Sequence, residues 1–272
     1  MNRAGNEIMG EILIAVEAFG LLGVSAAVGF FLRQRLSDQH LSDHNIEALR
    51  LVTGLLVTFT ALVLSLLLAS VKSSFDTTDR DRRMYAASLA AFDQCLQGYG
   101  AEATAMRGVI REYTAGVIAS TWPEEEKPTG VTLPNLAGVA RVGEDRTLRA
   151  LITGVGLSLA ALEPKDAFHH SQLAACRLAY DDVMHRREAV IEDAEGTMSG
   201  LFSRVLMFWL MLVFVSFGLQ ARHNRFTIVA IGIGALAIST VIFVIADLDR
   251  PYGGLFGIPS TSMRNALTDM SR

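Results

Sequence analysis

Four long apolar blocks constrain this chain more than any other feature: Ile12 to Leu32, Leu51 to Val71, Val205 to Ala221 (extendable back to Leu201) and Phe226 to Ala246. A hydrocarbon core about 30 Å thick is crossed by roughly 20 apolar residues rising 1.5 Å each. Each block is close to that length. A water-soluble chain would spread its apolar residues along amphipathic elements. Here 51% of the residues are hydrophobic and they collect in runs, while 24 Lys and Arg and 28 Asp and Glu lie mostly elsewhere. The expectation is an all-α membrane protein with four transmembrane helices and a helical cytosolic domain inserted between helices two and three.

The expected organisation is a first transmembrane hairpin at 1–72, the inserted domain at 73–204, a second hairpin at 205–250 and a short C-terminal tail at 251–272. The first block reads as a permanent helix and not a cleaved signal. Met1 to Glu11 holds one Arg and two Glu, and no small-x-small cleavage site follows the apolar run. In the inserted segment, Met84, Leu89, Phe92 and Leu96 share a helical stripe, as do Met106, Val109, Ile110, Tyr113 and Val117. Pro123 ends that second helix. A third runs from about Asp145 to Leu162, and a fourth starts near Lys165, capped by Asp166 or a neighbour. The segment carries more Asp and Glu than Lys and Arg, which disfavours a nucleic-acid partner.

Four crossings place both termini and the inserted domain on one side, expected to be the cytoplasm of a cell with the chain in its inner membrane. Two features lean that way. Arg80, Arg82 and Arg83 follow the second span, and Cys95 and Cys176 read as unpaired thiols because no Cys-x-x-Cys or Cys/His cluster is present. The short connections on the other side also hold arginines, at 33, 35, 50, 222 and 225.

The second span carries the clearest pattern. Gly54, Thr58, Ala61, Ser65, Ala69 and Lys72 are spaced three or four apart and share one face that ends in a cation. Such a face suits close helix packing through small residues. It equally suits the wall of an aqueous path, where hydroxyls and a terminal Lys favour anions. Glu17 inside the first span, Arg204, and Asp247, Asp249 and Arg250 at the end of the fourth are expected to form a charged collar at one membrane depth. The bulky third span, with Trp209, reads as a lipid-facing wall. His40 and His44 stand four apart, a spacing more common in solvated loops than in metal sites. No catalytic constellation, phosphate fingerprint, metal set or cofactor motif stands out, so the expectation is a non-enzyme without cofactors.

Several of these stretches resemble the bestrophin-like family of bacterial membrane proteins. They are Trp209-Leu210-Met211, Phe217 to Asn224, and above all Ala246-Asp247-Leu248-Asp249-Arg250-Pro251-Tyr252-Gly253-Gly254. Leu64-Ser65-Leu66 followed by Ser74-Phe75-Asp76, Tyr99 to Glu102, Arg111-Glu112-Tyr113 and Trp122-Pro123 extend the likeness. At Ser65 the family commonly has Gly. The resemblance implies a homo-oligomer, pentameric as in true bestrophins, that conducts small anions through a pore lined by span two. Bestrophin pores narrow at bulky apolar rings, for which only Phe59 and several Leu are available here. The alternative is a non-conducting oligomeric scaffold or signal-coupling protein whose cytosolic helices bind a partner. Lipid and further copies of the chain are partners expected under either reading.

Overall fold

The computed structural model describes residues 3–36, 43–135, 145–193, 200–221 and 224–272. Every regular element among them is helical. In chain order they are α1 (Arg3–Arg35), α2 (Asp43–Tyr99), α3 (Thr104–Thr121), α4 (Arg146–Ala160), α5 (Ala167–Asp193), α6 (Gly200–Gln220), α7 (Arg225–Leu248) and α8 (Thr261–Met270). A single 3₁₀ turn, Ala101–Ala103, joins α2 to α3. Four helices, α1, α2, α6 and α7, are long and apolar enough to cross a membrane. The chain divides into two compact units, residues 2–74 with 197–256, and residues 75–196 with 257–272. Helix α2 contributes to both, because neither Gly nor Pro occurs between Gly54 and Gly98. It stops where Gly100 takes a φ of 114°, a conformation open to glycine.

The first unit is the apolar one. Its core is Leu22 and Ala26 of α1, Leu206, Leu210, Val213 and Phe214 of α6, and Ala235 of α7. The third span is therefore not an outer wall. One face of α6 supplies most of the core, and among its described large apolar residues Val205, Phe208 and Leu212 are exposed. The reason is a close crossing of α1 and α6. A Cβ on Gly29 would lie 2.0 Å from the Val215 carbonyl oxygen, and one on Gly218 would lie 2.1 Å from that of Ala26. Two glycines bring the backbones together, as small residues do where lipid gives no hydrophobic drive to associate. Polar contacts finish the packing. Arg33 Nη1 donates to the Leu219 carbonyl at 2.9 Å, near the C-terminal end of α6. Gln220 Nε2 donates to Thr53 Oγ1 of α2 at 2.8 Å.

The second unit is built like a soluble helical protein. Leu89, Phe92 and Leu96 of α2 are fully buried, as are Ile110 and Ile118 of α3 and Ile152 of α4. Met84, on the same expected stripe as Leu89, is 37% exposed and stands at its margin. Helices α2 and α5 run antiparallel. Phe92 meets Tyr180 with ring centroids 5.7 Å apart, and Tyr99 meets His169 at 5.3 Å. Between those pairs, Cys95 and Cys176 are joined as a disulfide with Cα atoms 5.6 Å apart. The expectation of two unpaired thiols is thus corrected. Eighty-one residues separate them in sequence, and only the α2–α5 register brings them together. Asp166 caps α5 as expected, accepting the His169 N–H at 2.8 Å.

Residues 251–272, expected as a short tail, include α8, which packs into this unit. Met263 and Met270 are buried. Trp122 Nε1 donates to the Ile258 carbonyl at 2.7 Å. Asp93, 2% exposed, accepts two hydrogen bonds from Arg107, whose Nη2 also reaches the Met270 carbonyl at 3.3 Å. Glu125 receives the Ser260 hydroxyl and, at 3.1 Å, Arg264 Nε. Burial pushes the Glu125 carboxyl up. The bonds from Ser260 and Arg264 outweigh that and hold it below the ordinary carboxylate value.

Candidate functional site

Helix α2 has two faces within the apolar unit. Thr53, Thr60 and Val71 are buried, and Leu56, Val63, Leu64 and Leu67 pack partly against the core. At 100° per residue, the small face points well away from them. Gly54, Thr58, Ala61, Ser65, Ala69 and Lys72 are all exposed. A Cβ on Gly54 would meet nothing within 4 Å. The chain thus does not use this face to pack its own helices. That task falls to Gly29 and Gly218, which sequence reasoning passed over because a glycine inside an apolar run does not reveal its partner. Thr58 Oγ1 donates to the Gly54 carbonyl at 3.0 Å, so its proton is satisfied within the helix and its lone pairs face outward.

Phe59, the candidate constriction, is off this face. Its ring tilts against Trp209 of α6 with centroids 5.8 Å apart, while 52% of the residue is exposed. Glu17 and Arg204 are exposed on α1 and α6, and Arg250 is exposed beyond the end of α7. Asp249 is half-buried.

Asp247 has a different role from the one expected of it. It is 1% exposed and accepts two backbone bonds, from Leu255 N–H at 2.7 Å and Phe256 N–H at 2.9 Å. Both carboxylate oxygens are thereby engaged in folding the chain back after α7. The surrounding residues serve the same turn. Pro251 cannot extend the helix, Gly253 N–H donates to the Arg250 carbonyl at 3.1 Å, and Gly254 takes a φ of 73°. The Asp-Leu-Asp-Arg-Pro-Tyr-Gly-Gly element thus closes one loop at the end of α7. Asp247→Ala removes the acceptor for two donors at once. The expected loss is about 1–3 kcal/mol, read as a lower melting midpoint in detergent, with Asp247→Asn falling between it and the parent. A midpoint unchanged in Asp247→Ala would dismiss this role.

Among the described residues no group of three or more His, Cys, Asp and Glu is arranged to hold a metal ion. His40 lies outside the described residues.

No curated protein matches the chain. The family model of the bestrophin-like domain matches residues 20–263, from within α1 through the whole of α7 and into α8. The chain belongs to the bestrophin-like family.

Proposed function

We propose that the chain is a subunit of a homo-oligomeric ion channel of the inner membrane, that it conducts small anions, and that the small face of α2 lines a pore on the axis between subunits. Membership of the bestrophin-like family supports a channel-like membrane role. The observation that carries the finer reading is the exposure of the whole Gly54 to Lys72 stripe, while the tight crossing inside the subunit is made by other glycines. The Ser65 hydroxyl can donate a hydrogen bond to a partly dehydrated anion, and the Lys72 ammonium at the end of the stripe favours negative charge. Fivefold symmetry is the arrangement that family likeness suggests.

The same exposed stripe is what a non-conducting oligomer would use to pack subunit against subunit. Reconstitution separates the two. Purified protein in liposomes under a chloride gradient is expected to dissipate that gradient, and its mass in detergent is expected to be that of a pentamer. An oligomer without flux at any voltage or pH favours the scaffold. A monomer removes both readings, and a dimer counts against the pore.

A further inference from the structure

We infer that the unit formed by residues 75–196 and 257–272 lies on the oxidising side of the membrane, where Cys95 and Cys176 are joined, and that both short hairpin connections lie on the cytoplasmic side. This reverses the orientation expected from sequence, and it is independent of whether the protein conducts.

The cysteine pair is built into the fold. Cys95 on α2 and Cys176 on α5 have Cα atoms 5.6 Å apart, within the range that a disulfide needs without backbone movement. The antiparallel seam holds them in register from both sides. Phe92 lies against Tyr180 on one side, and on the other Gln172 Nε2 donates to the Cys95 carbonyl at 3.2 Å. Cys176 is fully buried and Cys95 half-buried, which limits the access of reductants to the bond. Disulfides of this structural kind persist in oxidising compartments and are rare in the cytosol.

The arginines of the two short connections fit this orientation. The positive-inside rule counts short loops and the ends of spans, whereas long domains cross largely regardless of charge. The two connections carry Arg33, Arg35, Arg50, Arg222 and Arg225. The basic cluster that pointed the other way has work inside its own unit. Arg82 is 4% exposed with its guanidinium 5.2 Å from the Trp122 ring, and Arg83 pairs with Asp79 one turn away. The fold accounts for both without a membrane surface.

Bond formation is ordinary thiol–disulfide exchange. A thiolate of one cysteine attacks the disulfide of a dithiol oxidant, giving a mixed disulfide, and the second thiolate displaces it. The two cysteines lose two electrons and two protons, and the oxidant leaves as a dithiol.

The test uses the full chain expressed in a Gram-negative host. Cells are denatured in a small alkylating reagent, then reduced and treated with a mass-adding maleimide. The parent is expected to gain two tags only after reduction. Cys176→Ser is expected to leave Cys95 blocked by the first reagent and therefore to gain none, a readout that does not depend on folding. Separately, alkaline phosphatase fused after Arg272 is expected to be active, and fused after Leu36 to be silent. Alkylation of both parental thiols before reduction overturns the inference, and so does a silent phosphatase after Arg272.

Discussion

Gly29→Ala is expected to destabilise the apolar unit by at least about 1–3 kcal/mol, the usual cost of overpacking, and to lower the yield of extractable protein. The added methyl would sit 2.0 Å from the Val215 carbonyl oxygen, 2.9 Å from its carbon and 3.0 Å from the Gly218 Cα. All three are backbone atoms, so no side chain can swing aside, and α1 and α6 must separate. Separation exposes Leu22, Leu210 and Phe214, which are buried at their contact. The matched control is Gly20→Ala on the same helix, where a Cβ meets nothing within 4 Å. That change keeps or gains stability, because alanine favours a helix interior over glycine by about 1 kcal/mol. Melting midpoints of the two variants in one detergent decide the matter. Equal midpoints would mean that the crossing of α1 and α6 does not depend on Gly29.

The second large effect is on transport. Ser65→Trp is expected to abolish chloride flux while leaving the oligomeric mass unchanged. Ser65 is exposed in the subunit, so the subunit itself can accept the larger side chain. If the stripe faces an axial path, the substitution places one indole per subunit around it, and a symmetric ring of such groups closes a narrow pore. Flux and detergent mass are measured on the same preparation. Unimpaired flux would take Ser65 off the pathway. A lost oligomer would assign the stripe to subunit packing.

The features legible in the sequence were those written in local periodicity. Span positions followed from block length alone. A cap at or beside Asp166 followed from neighbouring residues. The exposed stripe of α2 could be read as a stripe, but its direction could not. Pairings between distant residues were silent. Nothing in an 81-residue separation marks Cys95 and Cys176 as partners, and the absence of a Cys-x-x-Cys motif argued the wrong way. Gly29 and Gly218 are two glycines among many, distinguished only by the backbone that each meets. Asp247 drew attention as a carboxylate at a membrane edge. Its acceptor role needs the chain to turn back at Gly254, which composition does not reveal.

The docking of α8 also bears on how this protein is made. The unit that holds the disulfide is discontinuous: its last piece, residues 257–272, follows α7 in the chain. During synthesis the ribosome delivers α2 to α5 early. Trp122 then waits for the Ile258 carbonyl, and Arg107 for that of Met270. Those partners emerge only after the fourth apolar helix has been translated. The unit therefore cannot complete these contacts until α7 has been translated, and a nascent chain halted anywhere before α8 is left without them.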